Sequence, residues 1–250
     1  MRELSELTNV PDPAWPLVQQ AAAASSVHVA LLPGDAFRGA ACLRQLQVTA
    51  RSFLGAVALH SGGILVDGGW VRVYGGAGTG APGGLPGLGA VNGFPSAPDP
   101  AWSPPAGGLV LAHDVLGGVF ALNGHDPAAA GRPGDPGEMV YFAPDLLAWE
   151  PLGAGHGDWL SWLLAGDALA EFYSALRWPG WSDAVAGLPL SHGVAVYPFL
   201  WSEEANGNTA GLSRSPVPMH EILGSSRDFA RQAGGADPGP LGSLESLPAG

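Results

Sequence analysis

The chain has 250 residues, of which 10 are basic and 22 acidic, and its formal net charge is −12. This length accommodates one large domain or two small ones. Because phosphate binding needs clustered basic side chains, the charge excludes nucleic acid as an expected partner and disfavours an anionic membrane surface, whereas a basic protein would be attracted.

The N-terminus and the cysteine content indicate a location. The single cysteine, Cys42, excludes an intrachain disulfide and a multi-cysteine metal site. Glu3 and Glu6 occur where a secretory signal peptide needs an apolar run. No segment reaches the roughly 18–20 consecutive apolar residues of a membrane-spanning helix. We therefore expect a cytoplasmic protein with no membrane partner, and the sequence indicates no cofactor.

The first 47 residues are predicted to form two helices around one strand. Asp12 is a typical helix cap, and Pro13 suits the first helical position. The alternation of apolar residues over 27–32 predicts a strand. Asp35 is predicted to cap a second helix that ends near Gln47.

From residue 48 onwards, short apolar segments separated by glycine pairs replace the helical pattern. These segments predict strands at 53–59, 64–66 and 70–74, joined by tight glycine turns. The segment 75–107 is rich in glycine and proline and has no periodicity, so it is predicted to be a long loop.

The second half of the chain continues with strands and then helices. Strands are predicted at 109–113, 118–122, 138–142 and 193–198, with a helical pair that begins at Asp158 and Asp167 between the last two. The segment 203–250 is polar and rich in glycine and proline. It is predicted to be a largely disordered tail, apart from one turn of helix around 218–223.

Together these elements predict an α+β fold. The sheet is expected to be mostly antiparallel, with helices at the N-terminus and a helical pair after the sheet. A doubly wound parallel sheet would need regular alternation of strands and helices, which residues 48–150 lack. We therefore predict one domain over residues 1–202 that contains the 75–107 loop, followed by the 203–250 tail.

Tryptophan provides the first group of candidate site residues. Each of the nine tryptophans can bury roughly 150–250 Å² of surface. Trp178, Trp181 and Trp201 lie near the predicted helical pair and the last strand. One hypothesis is that they form an aromatic patch that binds a partner. The alternative, which is the commoner arrangement, is that they fix loop ends onto the sheet.

Charged residues beside the glycine turns provide the second group. Arg51, Asp67 and Arg72 flank the turns of the first predicted strands. Two arginines at this place could bind a carboxylate ligand in a bidentate manner. The structural alternative is an Asp–Arg pair that braces the hairpin.

The sequence predicts neither a catalytic residue nor a metal site. His113 and Asp114 are adjacent in a predicted strand, so their side chains point to opposite faces and do not suit one ion. A Gly-x-Ser-x-Gly nucleophile motif does not occur. The remaining enzyme hypothesis is a small-molecule site that gathers Arg51, Asp67, His113 and Asp114.

Five segments resemble, in order, a bacterial family called domain of unknown function 2625. Two of them contain Ile64-Leu-Val-Asp-Gly-Gly-Trp70 and Arg177-Trp-Pro-Gly-Trp181. The five segments are 48–57, 62–72, 114–124, 141–145 and 172–181. The resemblance extends over about residues 3–224, and the family name assigns no activity.

A more distant likeness is to the SUKH superfamily of bacterial immunity and scaffolding domains. In that superfamily a strand pair around a glycine-rich turn is followed by a further strand and a helix that carries Trp or Phe. The segments 117–123, 139–142 and 158–164 are similar in that order. With the acidic charge and the many aromatic residues, this likeness implies a non-catalytic, immunity-like protein-binding domain with a basic partner.

Overall fold

The computed structural model describes residues 1–76, 78, 84–205, 211–233 and 237–244. A seven-stranded antiparallel sheet, in which every strand pairs with the next one in the sequence, forms the centre of the molecule. A separate antiparallel pair of strands follows it. The α+β fold class and the antiparallel sheet predicted from the sequence are confirmed.

The strands of the large sheet are β1 (Val29–Pro33), β2 (Ser61–Val66), β3 (Val71–Tyr74), β4 (Gly108–Asp114), β5 (Val119–Asn123), β6 (Glu138–Ala143) and β7 (Ala148–Gly155). The small sheet contains β8 (His192–Tyr197) and β9 (Ser213–Pro218). The helices are α1 (Leu4–Thr8), α2 (Trp15–Ala23), α3 (Ala36–Leu46), α4 (Phe53–His60), α5 (Leu88–Val91), α6 (His156–Ala165), α7 (Leu169–Phe172), α8 (Trp181–Ala186) and α9 (Met219–Gln232).

The turn between β2 and β3 shows why glycines punctuate this sheet. Asp67, Gly68 and Gly69 all have positive φ angles, of 54°, 67° and 94°. Glycine adopts this region without steric cost, which lets the chain reverse direction within three residues. The turn therefore brings Asp67 and the first residues of β3 to one edge of the core.

One predicted strand is wrong, because the segment 53–59 forms helix α4. The Ser52 side chain accepts a hydrogen bond from the main-chain nitrogen of Gly55 at 3.0 Å, which is a typical helix cap. The middle of α4 is buried around its circumference, so its sequence has no amphipathic period that would indicate a helix.

The glycine- and proline-rich segment after β3 is packed more closely than the sequence suggests. Its short helix α5 places Leu88 and Val91 in the core, together with Leu85. The Asn92 side chain is hydrogen-bonded to both the nitrogen and the carbonyl oxygen of Val110 in β4. It thus makes the two main-chain hydrogen bonds that a neighbouring strand would otherwise make. Residues 77 and 79–83 of this predicted loop lie outside the described residues.

The helical pair after the sheet begins at other residues than predicted. Helix α6 starts at His156 after the cap Gly155, so Asp158 lies in its first turn rather than at the cap. Helix α7 follows the cap Ala168 instead of Asp167. A carboxylate in the first helical turn is favourable without being a cap, which explains the position of Asp158, whereas Asp167 lies one residue before the cap of α7.

The structure differs from the prediction of a largely disordered segment after residue 203. Strand β9 pairs with β8 over six residue pairs, although it contains Pro216 and Pro218. Helix α9 buries Met219, Leu223 and Ala230 on the core side. The exposed charges of α9 and the two prolines of an edge strand hide these elements in the sequence. Residues 206–210, 234–236 and 245–250 of the predicted tail lie outside the described residues.

Within the part of the chain that the structure describes, no helix has both the length and the apolar character needed to cross a membrane.

We expect the substitution Leu223→Ala to lower the free energy of unfolding by about 2–4 kcal/mol, because Leu223 is only 3% exposed and its removal leaves a cavity. The control Leu17→Ala removes a leucine that is 55% exposed on α2 and should change stability by less than about 0.5 kcal/mol. Urea unfolding followed by tryptophan fluorescence measures both values. Equal effects of the two substitutions would mean that α9 does not pack on the core.

Candidate functional site

The residues singled out in the sequence do not meet in one site. Arg51 lies on the exposed surface before α4, whereas Arg72, His113 and Asp114 are at most 1% exposed in the large sheet. Because Arg72 pairs with His113 across β3 and β4, and Val71 with Asp114, the side chains of His113 and Asp114 point to opposite faces. The enzyme hypothesis therefore lacks a common cavity for its residues.

Asp67 does form an ion pair, but with Arg177, which was not among the predicted site residues. The Arg177 Nη2 atom lies 2.5 Å from the Asp67 Oδ2 atom, and the two side chains are only 13% and 15% exposed. The pair joins the β2–β3 turn to the segment after α7, 110 residues away along the chain. Local patterns in the sequence do not predict a contact between residues that are 110 positions apart.

Aromatic rings surround the same arginine. The Arg177 guanidinium carbon lies 4.2 Å from the ring centre of Trp181, 5.0 Å from that of Trp70 and 5.4 Å from that of Tyr173. Such cation–π contacts are stronger where water is excluded. Trp181 therefore contributes to an internal support of the turn.

Trp178 has a similar supporting role, and Trp201 does not share it. Trp178 is 9% exposed, contacts the Trp70 ring and lies under the Arg214 guanidinium, 4.6 Å from its carbon. The ring contacts of Trp201 are with Phe199 and Phe229 instead. The predicted patch of three tryptophans is thus divided. Trp178 and Trp181 belong to an internal cluster with Trp70 and Arg177, whereas Trp201 lies at the surface.

Arg72 is buried and binds main-chain carbonyl groups, so it is not available to bind an anionic ligand. Its Nη1 atom donates to the carbonyl oxygens of Leu190 at 2.7 Å and His192 at 2.6 Å, and its Nε atom donates to Gly69 at 3.2 Å. Burial lowers the pKa of this guanidinium to about 10.

His113 lies beside Arg72 on the same face and is hydrogen-bonded to the Tyr74 hydroxyl. Burial, and secondly the charge of Arg72, hold the pKa of His113 well below its usual value. This imidazole is therefore neutral near pH 7 and packed inside the protein, where no substrate reaches it.

Asp114 organises the turn between β4 and β5. Its carboxylate accepts hydrogen bonds from the main-chain nitrogens of Leu116 and Gly118, both at 2.9 Å, and from the Tyr141 hydroxyl at 2.7 Å. A side chain at position 118 would place its Cβ 2.1 Å from the carboxylate oxygen, so only glycine fits. Burial raises the pKa of Asp114, and these hydrogen bonds oppose the rise.

The accessible aromatic side chains lie elsewhere, on the small sheet and α9. Tyr197 ends β8, and Phe199 and Trp201 follow it at intervals of two residues; the three side chains are 66%, 39% and 38% exposed. The rings of Phe199 and Trp201 are stacked with centres 5.3 Å apart, and Phe229 contacts both, at 4.9 and 5.1 Å. We call this surface, formed by Tyr197, Phe199, Trp201 and Phe229, the aromatic groove.

Two cavities open along the aromatic groove and share Trp201. The smaller has a volume of about 150 Å³ and lies between β8 and α9, with Val194, Val196, Ile222 and Phe229 among its lining residues. The larger, of about 780 Å³, extends towards the β6–β7 turn and the Arg132 side chain. Neither cavity is lined by Arg51, Asp67, His113 or Asp114.

Part of this site was visible in the sequence. Of its four aromatic residues, Trp201 was among the predicted site residues, whereas Tyr197 and Phe199 were not. Phe229 was missed because its segment reads as polar and flexible. Ile222 and Phe229 become recognisable only when α9 is treated as an amphipathic helix with apolar residues three, four and seven positions apart.

The Arg177–Asp67 pair generates a first prediction about the internal cluster. Arg177→Ala removes the ion pair and three cation–π contacts and leaves the Asp67 carboxylate largely buried, so we expect a loss of about 1.5–3 kcal/mol in unfolding free energy. Arg44→Ala removes an exposed pair with Glu3 and should cost less than about 0.5 kcal/mol. Similar losses in urea unfolding would contradict this assignment.

Asp114 generates a second prediction, about pH. Because burial raises its pKa above 3.8, the folded protein holds this proton more tightly than the unfolded chain. The contribution of Asp114 to the unfolding free energy is therefore fully present below pH 3.8 and decreases as the pH rises towards the raised native pKa. Unfolding measured from pH 3.5 upwards should show a decrease that Asp114→Asn lacks. An identical pH profile for the two proteins would contradict the raised pKa.

Comparisons with known proteins agree with the resemblance to domain of unknown function 2625. The profile of the family described as "Protein of unknown function DUF2625" matches residues 4–222. The chain is 39% identical over 214 residues to "Putative uncharacterized protein YbfG" of Escherichia coli, covering 82% of this chain and 89% of that protein. It is 32% identical over 189 residues to an "Uncharacterized protein" of Haemophilus influenzae, covering 75% and 78%. No solved structure matches closely enough to count as a relative. The chain therefore belongs to the DUF2625 family.

Proposed function

We propose that this protein is a non-catalytic protein-binding domain and that the aromatic groove is its binding surface. The observation that carries the proposal is the convergence of four aromatic side chains at the surface, three of them at least 38% exposed. Large apolar side chains that share one exposed surface mark interaction sites, whereas isolated ones do not.

The chemistry of the groove suits a protein partner. Tyrosine and tryptophan provide much contact area and lose little side-chain freedom on binding, which makes them common centres of binding energy. Phe199, Trp201 and Phe229 already contact one another, so their orientation is fixed before a partner arrives. A preorganised surface of this kind lowers the entropic cost of association.

The charge of the molecule favours a basic partner. The chain carries a net charge of −12, which accelerates association with a positively charged protein and repels acidic ones. This preference agrees with an immunity-like role, in which the domain binds and neutralises a basic effector. The cytoplasmic location expected from the sequence belongs to the same proposal, and fractionation of the producing cells tests it.

Three of the residues in the alternative enzyme hypothesis are buried or already paired, which supports the non-catalytic proposal. Asp114 and His113 are enclosed in opposite faces of the sheet, and Asp67 is occupied by Arg177. General acid–base catalysis requires a side chain within hydrogen-bond reach of a bound substrate. These side chains are used to hold turns and strands together instead.

Affinity capture from native lysate with quantitative mass spectrometry tests the proposal. Trp201→Ser combined with Phe199→Ser should reduce recovery of the specific partner by about tenfold or more, because truncation of central aromatic anchors has effects of this size. The matched control is Phe37→Ser, which removes an aromatic residue that is 84% exposed on α3, outside the groove. Equal recovery with all three proteins, or substrate turnover that depends on Asp114, would overturn the proposal.

A further inference from the structure

We propose that the 150 Å³ cavity between β8 and α9 receives one anchor side chain of the size of phenylalanine or leucine from the partner, and that a basic residue stands next to this anchor. The inference rests on the proposed function, because it assigns the partner's chemistry at the same surface. It goes further in naming which side chain enters, where it enters and which charge accompanies it.

The size and lining of the cavity determine the anchor. Its walls include the side chains of Val194, Val196, Val217 and Ile222, and the rings of Phe199 and Phe229 lie at its mouth. An apolar protein cavity of about 150 Å³ accommodates a benzene molecule. A phenyl ring or a leucine side chain therefore fits.

Carboxylates around the opening determine the neighbouring charge. Glu221 lines the cavity itself, and Asp145 lines the adjoining larger cavity, where the Arg132 side chain also lies but is only 6% exposed. Glu203 and Glu204 are exposed and lie two and three residues after Trp201 in the chain. None of these four carboxylates forms an ion pair within the described parts of the chain.

The basic residues of the same helix do not neutralise this rim. Arg227 and Arg231 both lie beside the carboxylate of Asp237, at 3.5 and 3.6 Å, on the side of α9 that meets the C-terminal segment. The opening thus combines apolar walls with unpaired negative charge. This combination favours an apolar side chain flanked by Lys or Arg over a second copy of the chain, which would bring another net charge of −12.

Methyl-resolved NMR with short synthetic peptides tests the inference directly. We expect acetyl-Arg-Phe-Arg-amide to shift the methyl signals of Val194, Val196 and Ile222. The peptide acetyl-Arg-Ala-Arg-amide should bind about tenfold more weakly, because it lacks the apolar side chain. The peptide acetyl-Glu-Phe-Glu-amide should be weaker by about fivefold, because its charges oppose those of the rim. Equal binding of the three peptides, or shifts that avoid these methyl groups, would overturn the inference.

Variants of the protein separate the two components of recognition. Val217→Phe fills the cavity from one wall, and Ser226→Leu narrows it from the side of α9, so either should abolish the difference between the Phe and Ala peptides. Glu221→Gln should weaken the Arg-Phe-Arg peptide about two- to fivefold, whereas the control Glu171→Gln, an exposed residue of α7, should not. Thermal unfolding verifies that each variant is folded.

The same variants distinguish failure of this inference from failure of the proposed function. If partner capture depends on Trp201 and Phe199 but is unchanged in folded Val217→Phe and Ser226→Leu, the binding surface stands and the anchor inference is overturned. If capture depends on none of these residues, the proposed function fails and the anchor inference fails with it. Loss of capture in the cavity variants together with the Trp201 variant supports both.

Discussion

The position of the aromatic groove depends on one buried guanidinium, that of Arg72. Its Nε atom binds the β2–β3 turn through Gly69, and its Nη1 atom binds the carbonyl oxygens of Leu190 and His192, which lead into β8. The cation is thus stabilised by main-chain dipoles from both sheets. Separating the small sheet would break two hydrogen bonds from a charged donor, each of which contributes about 1.5–3 kcal/mol. Arg72 therefore fixes the small sheet, which bears part of the aromatic groove, to the large sheet.

The tryptophans divide according to whether an arginine lies over them. Trp70, Trp178 and Trp181 contact the guanidinium groups of Arg177 and Arg214 and close the end of the core. In this environment each indole ring contacts a cation supplied by the chain itself. Trp201 instead contacts the rings of Phe199 and Phe229 and is 38% exposed, so part of its surface is available to another molecule. An abundance of tryptophan in the sequence therefore indicates two different roles, and only the contacts distinguish them.

Local signals in the sequence predicted most of the fold, and long-range contacts determined the rest. Asp35 caps α3 as expected, since its carboxylate accepts a hydrogen bond from the Arg38 nitrogen at 2.8 Å. Helix α4 was mistaken for a strand because a segment buried on all sides has no periodicity. Trp201 was predicted as a site residue, but Phe229 approaches it only after β9 and α9 fold back onto β8. Such convergence depends on topology, which spacing does not report.

The distribution of arginine explains why the surface is more acidic than the net charge alone suggests. Arg72 and Arg132 are 1% and 6% exposed, so burial removes two of the ten basic groups from the solvent. Arg177 forms an ion pair with Asp67, and Arg227 and Arg231 both lie beside Asp237. Among the described residues Asp114 is the one buried carboxylate, and the others stay at least partly exposed because an unpaired charge is costly to bury. An approaching partner therefore meets a field set mainly by carboxylates, and the groove selects for positive charge before any apolar contact forms.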